Sequence, residues 1–393
     1  VGTPPSSATL FLAEHTSLRD LTVRNTGTGN HNVALMATDG TTGTLVADVT
    51  ARGQEENGTN YAVYLTGSGT GVMLQDVTAL AENGINSNRA LFSTTGAEVV
   101  LRGGSYTVRG GWTSNSIYNG ASGTTLDALN VTALAEDGSS STFALFNRDG
   151  ATARLDGGSF TARGASDAYA IYNRMSSANL EATGVTAVAE DASSDNYGLY
   201  NYGAAAATLS GGSFTGRGGT NACGIRNHRL STARLEATAV AALGEEGTSN
   251  NYGFYNTSNA RATLHGGSFT ALGTGSSSAY GLMNEEGIAT LIGGAYVARN
   301  GDIATGIYNV DALTAQSITA LGEGGTTNYG LDHASTSSAN VTQSVLEGAT
   351  YSALRSAGAL TISNSRLVGG ATSGTITCVA VSRGTTFNSS GCP

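Results

Sequence analysis

The chain contains no lysine: all 19 of its basic residues are arginine, set against 29 acidic residues for a net charge of -10. Phosphate backbones are bound by basic stripes, so this balance excludes nucleic acid as a partner and disfavours an anionic membrane surface. Charged residues are only 12% of the 393, about half the usual share, which leaves a surface made largely of Ser, Thr, Asn and Gly. Proline is nearly absent, 3 residues beside 56 glycines. That ratio excludes collagen-like and Pro/Gly-rich disordered chains and assigns the glycine to turns. No apolar run approaches the ~18 residues of a membrane helix, and no basic-then-apolar leader opens the chain. Neither membrane insertion nor a retained signal peptide is expected, and the sequence fits the mature form of an exported protein.

Cysteine is scarce, with three residues, Cys223, Cys378 and Cys392. The last two are close in sequence and are expected to form a disulfide closing the C-terminal segment, which implies an oxidising compartment. Two unpaired thiols are the alternative.

What the chain has instead is repetition. Segments such as "AYAIYN", "NYGLYN" and "NYGFYN" recur, and aligning them on one apolar residue gives thirteen anchors: Leu35, Val63, Leu91, Ile117, Leu145, Ile171, Leu199, Ile225, Phe254, Leu282, Ile307, Leu331 and Leu354. They stand 23 to 29 residues apart. In the middle of the chain two unit types alternate, one carrying "LxGGSFTARG" (Leu101, Leu155, Leu209, Leu264) and one "LEATxVTALAEDG" (Leu126, Leu180, Leu235). Each unit holds three short alternating segments broken by Gly, Ser, Asn and Asp, which read as strands. Three strands in so few residues cannot bury their own apolar side, but stacked on copies they form a continuous core. The expectation is an all-β solenoid of about fifteen coils of 23–29 residues with three short strands each. It is placed over 1–375, with an irregular start at 1–9, and is followed by a closing segment at 376–393. Apolar residues are not spaced for helical repeats, and a propeller needs four strands in about 40 residues.

These coils resemble the right-handed parallel β-helix repeats of the pectin-lyase-like superfamily. The opening "SLRDLTVRNTG" at 17–27 and the "NYGLYN" coils resemble a bacterial group of exported, repeat-built surface and tail-fibre-like proteins, and the ending from "SRLVGGATSG" onward is similar to that group's terminal coil. The resemblance implies a right-handed parallel β-helix and leaves the chemistry open. At the strand spacing of roughly 4.8 Å, fifteen coils would make a rod on the order of 70 Å.

Residues at fixed offsets from the anchors would form columns. Two after the anchor stand Asn119, Asn147, Asn173, Asn201, Asn227, Asn256, Asn284 and Asn309, expected to hydrogen-bond from coil to coil as a structural ladder. Two before it stand Tyr61, Phe143, Tyr169, Tyr197, Cys223, Tyr252, Tyr280 and Tyr329, which strict alternation places on the anchor's inward face. The residue just before the anchor is always Ala, Gly or Ser. The one just after it is usually large: Met36, Tyr64, Phe92, Tyr118, Phe146, Tyr172, Tyr200, Tyr255, Met283 and Tyr308. Alternation makes these last two an outer groove and ridge, a surface soluble monomers rarely expose. The expected use is a lateral interface in a filament or homotrimer, with a long glycan as competing ligand and cover by flanking loops as the plain alternative. Glu82, Arg109, Glu136, Arg163, Glu190, Arg217 and Glu245 alternate in sign near the third strand's end, as an ion-pair ladder would.

Signs of catalysis are few. His15, His31, His228, His265 and His333 are scattered, and the acidic pairs Glu136 with Asp137, Glu190 with Asp191 and Glu245 with Glu246 recur in register, as structural residues do. Carboxylates two coils apart would lie roughly 9.6 Å from each other, at the edge of the range for inverting glycosidases. No "GGxGxDxUx" calcium repeat is present, the glycine-rich stretches lack a following helix, and no cofactor or metal is expected. N-x-S/T triplets begin at Asn57, Asn130, Asn256, Asn340 and Asn388. No cap helix precedes the first strand, so an N-terminal edge open to head-to-tail stacking is expected. The sequence reads as an extracellular or cell-surface, non-enzymatic, self-associating structural protein, the alternative being a tailspike-like fibre that binds or depolymerises polysaccharide.

Overall fold

The computed structural model describes residues 7–27, 30–55, 58–175, 177–228, 233–384, 386–390 and 392–393. The chain divides into two compact units, Val1–Ser193 and Ser194–Pro393. Each is an all-β parallel solenoid in which every turn contributes a long strand, a second strand and a third strand, and each strand pairs with its equivalent one turn on. No helix occurs among the described residues. The full turns number about twelve rather than fifteen. The first described strands are short, Ser17–Arg19 spanning 3 residues, and near the other end a single strand, Val345–Arg355, runs through what elsewhere are two.

The alternation of the two unit types has a packing cause. Along the inner face of the third strands of the first unit the chain places Ala79, Tyr106, Ala133, Phe160 and Ala187, all buried. A ring fills the space that its two alanine neighbours leave, so large and small side chains interdigitate at native density. The second strands do the same along their length: Leu155 stands where its neighbour in the next turn has Ala182, and Leu180 where the previous turn has Ala153. In the second unit Phe214, Ala242 and Phe269 continue this rule until Phe269 and Tyr296 meet and stack at 5.2 Å. Between second and third strands the backbone turns through the left-handed region, where glycine, Asn and Asp are tolerated. Asp76 and Asn130 take it in one unit type; Gly103 with Gly104 and Gly157 with Gly158 take it in the other.

The long strand departs from simple alternation. Its ladder passes over the small residue: Phe143 pairs with Tyr169 and Leu145 with Ile171, while Ala144 and Ala170 are skipped. The small residue and the anchor therefore both turn inward. A Cβ added at Gly253 would meet the backbone of Phe269 and Thr270 in the third strand at 2.6 Å, so the small side chain is required by close approach of two sheets inside the solenoid, not by an outer groove. The same bend turns the residue two before the anchor outward. Phe143 lies 4.9 Å from Phe146 and Tyr252 lies 4.7 Å from Tyr255, ring to ring, correcting the inward placement. At the last turn the inward residue is Ala353, paired with Leu331, and Leu354 faces outward, which moves the thirteenth anchor by one position.

The second unit ends in a hairpin. Ile376–Arg383 pairs antiparallel with Thr386–Ser390, and Cys378 is bonded to Cys392.

Candidate functional site

Three columns of side chains carry the polar and aromatic chemistry of each unit. The asparagine column is buried. In the first unit Asn119 Nδ2 donates to Asn147 Oδ1 and Asn147 Nδ2 to Asn173 Oδ1, each at 2.8 Å, and the same amides donate to the carbonyls of Thr152 and Asn179 at 2.9 Å. In the second unit Asn201, Asn227, Asn256, Asn284 and Asn309 are joined in the same way at 2.7–2.9 Å. The amides thus satisfy backbone carbonyls at the corner between long and second strands. The second-unit column ends on His333, whose Nδ1 lies 2.9 Å from Asn309 Nδ2 and whose Nε2 lies 3.1 Å from the Ser337 carbonyl. Nδ1 therefore accepts and Nε2–H donates, the neutral form, and burial lowers the His333 pKa.

A second buried amide set went unread in the sequence. Asn32, Asn60, Asn88, Asn196 and Asn251 sit three residues before the anchor, fully buried. Asn88 binds the carbonyls of Gly84, Arg109 and Gly110, and Asn251 exchanges hydrogen bonds with Gly247. The sequence signal of this set is the Asn of the N-Y pair in "TNYAVYL", "DNYGLYN" and "NNYGFYN".

The aromatic column runs along the outside in two rows. Met36, Tyr64, Phe146, Tyr172 and Tyr200 are buried, while Phe92, Tyr118, Tyr255, Met283 and Tyr308 are partly buried. Their cover is each other: Phe92 and Tyr118 stack at 4.6 Å, Phe143 and Tyr169 at 4.9 Å, and Tyr197 and Tyr200 at 5.0 Å. The turns "AEDGSSSTF" and its like do not fold over them; Ser139 N donates to Gly111 O and Thr248 N to Gly219 O, turn stacked on turn. Arginines complete the array, Arg148 lying 5.4 Å from the Phe146 ring and Arg174 5.7 Å from that of Tyr172. The Arg89 guanidinium lies 4.9–5.4 Å from the rings of Tyr61, Phe92 and Tyr118. That of Arg226 lies 4.9–5.5 Å from Tyr197, Tyr200 and Tyr255 and bonds the Tyr197 hydroxyl at 2.6 Å. Cys223, in the same turn, is fully buried and its thiol is pushed up to about 12 by burial, which makes it inert at neutral pH. The first-unit column opens on Phe11, which is 61% exposed and pairs with Met36.

The charged column holds the pairs Arg109 with Glu136, Arg163 with Glu190, and Arg217 with Glu245, each at 2.6 Å, and Arg299 with Glu323. Glu82 instead accepts from Gln54. Asp137, Asp191 and Glu246 occupy left-handed turn positions. No group of three metal-ligating side chains occurs among the described residues. The histidines do not converge: His15 pairs with Glu14, His228 with Tyr200, and His333 with Asn309. Of the glycosylation triplets, Asn130 and Asn340 are exposed, Asn256 is buried in the ladder, and Asn57 lies outside the described residues. A depression of about 390 Å³ lies on the second strands of the first unit among Arg102, Asp127, Arg154, Asp156 and Glu181.

No family model, curated protein or solved structure matches the chain. No helix among the described residues is long and apolar enough to cross a membrane.

Proposed function

We propose that the protein is an exported structural β-helix, a subunit of an extracellular filament or surface fibre of the pectin-lyase-like, tail-fibre-like kind that its coils resemble. The supporting observation is how the columns use their side chains. Ladder amides, ion pairs and stacked rings are consumed by contacts between successive turns, and repeated chemistry of this sort builds stiffness rather than a reaction centre. Assembly through the outer ring columns, Met36 to Tyr172 in the first unit and Tyr200 to Tyr308 in the second, is part of this reading, and the exposed Phe11 ring is its favoured point of contact because a further ring stacked there would extend the first unit's column. Such a head-to-tail contact propagates as a filament. Electron microscopy of native protein is expected to show filaments that Phe11→Ser shortens or abolishes; discrete particles that the substitution does not alter would refute the assembly.

A second reading, a fibre that binds or cleaves surface polysaccharide, is favoured by one observation. In the depression on the second strands Asp156 stands out of register with Asp127 and Glu181, which share a column with Arg154. Release of reducing ends from bacterial surface polysaccharide, lost in Asp156→Asn, is the outcome this reading expects.

A further inference from the structure

The second unit's outer column reads Tyr200, Arg226, Tyr255, Met283, Tyr308, Asp332, one residue per turn. At Arg226 the chain supplies its own cation to a set of rings. At Asp332 the sign is reversed. The carboxylate pairs in register with Tyr308 and stands three residues after Tyr329, the offset at which Tyr252 and Tyr255 touch. Tyr308 lies 5.7 Å from Tyr280 and Tyr329 lies 5.8 Å from Tyr351, ring to ring. Thr305 occupies the rung between Tyr280 and Tyr329, so those two rings do not stack on each other, and Tyr308 tilts toward Tyr280 at 56°. Asp332 Oδ1 is shielded from solvent and has no hydrogen-bond partner among the described residues. The cations nearest in the chain are engaged elsewhere: Arg355 donates to the Gly358 carbonyl and Arg299 pairs with Glu323.

Asp332 is partly buried, a shielded carboxylate oxygen without a partner is costly, and tyrosine faces attract cations within about 6 Å. One carboxylate cannot supply the 6–8 oxygen ligands of a calcium site, whereas a ring-lined site with a single carboxylate suits an organic cation. We propose that Asp332, with the rings of Tyr280, Tyr308 and Tyr329, binds an alkylammonium group, doing with a guest what the column does at Arg226 with a side chain of its own. The site shares Tyr308 with the outer ring column, but its test reads cation binding by the chain and not filament assembly. Burial pushes the Asp332 carboxyl up to about 6, and the charge of Asp332, after burial, helps hold the hydroxyls of Tyr308 and Tyr329 above their usual range, as expected of a negative site whose counter-ion is external.

Calorimetric titration of the whole chain with tetramethylammonium chloride, and separately with n-butylammonium chloride, at constant ionic strength, tests this against sodium chloride. Saturable binding of either cation at one site per chain is expected, weakened at least tenfold by Asp332→Asn and by Tyr329→Leu and unchanged by Trp112→Leu, at an exposed ring of the first unit. The tighter of the two cations identifies the guest as quaternary or primary. Asp332→Asn removes a partly buried charge and keeps the shape, so circular dichroism is expected to show an intact fold. Heats no different from sodium chloride, or binding that Asp332→Asn leaves unaltered, would overturn the proposal.

Discussion

Asn147 accepts from one turn and donates to the next, and neither neighbour has water to fall back on. Asn147→Ala is expected to cost about 2–4 kcal/mol in urea unfolding, because it strands Asn119 Nδ2's partner position and the Asn179 carbonyl in a dry interior. The reverse change is open at the column's beginning, where Ser93 Oγ and Asn119 Oδ1 face each other in register and neither has a partner among the described residues. Ser93→Asn adds a donor there and is expected to stabilise by about 1 kcal/mol. At the column's end His333 introduces a pH dependence. Its folded pKa is depressed, so its contribution is present above the ordinary histidine range and is lost as pH falls through the folded value. Unfolding free energies compared at pH about 7.5 and about 5 should converge in His333→Asn, which continues the ladder without a titrating ring. The ladder residues were legible in the sequence because an amide recurring at one offset has few other uses. Asn32, Asn60 and Asn88 were not, since their offset from the anchor is shared by Ser114, Thr142 and Ala168, and the pattern looks broken until the turns are stacked.

For the strands, period-two alternation assigns the wrong face across the one bend it cannot represent, and the thirteenth anchor is displaced by one position. An inward pair such as Ala144 with Leu145 shifts all residues on one side by a face, which is why Tyr61 and Tyr169 were placed inside and are found against the outer ring row. The bend exists because the long and third strands approach closely enough to exclude side chains. In the second unit that approach is at its tightest, with Gly198, Gly224, Gly253, Gly281, Gly306 and Gly330 on the long strands. Gly253→Ala places a Cβ 2.6 Å from the Gly281 oxygen as well as from the third strand, and is expected to cost about 1–3 kcal/mol by thermal unfolding. Alanine at the same rung in the first unit, as in Ala144, is the native residue, so the penalty belongs to the second unit's spacing and not to alanine in this strand.

Within each unit a turn touches its immediate neighbours, so stability is a sum of local interfaces and damage stays local. Reduction of Cys378–Cys392, which spans 14 residues, is expected to cost about 3 kcal/mol by release of the closed loop. Hydrogen exchange should then quicken in Ile376–Arg383 and Thr386–Ser390 while the first unit's strands keep their protection; uniform acceleration would contradict the stacked-turn picture. The sequence by itself determined the parallel solenoid, because a period of 23–29 residues with three alternating segments has no other way to bury its apolar side. It also determined which residues share a column as far as the twelfth anchor, because columns there follow from offsets alone. Tertiary structure decided which way the columns face and what they touch. The inward turn of the small residues, the stacking that covers Tyr172 and Tyr200, and the uncompensated carboxylate of Asp332 all depend on distances between sheets and turns, which no spacing along one chain encodes.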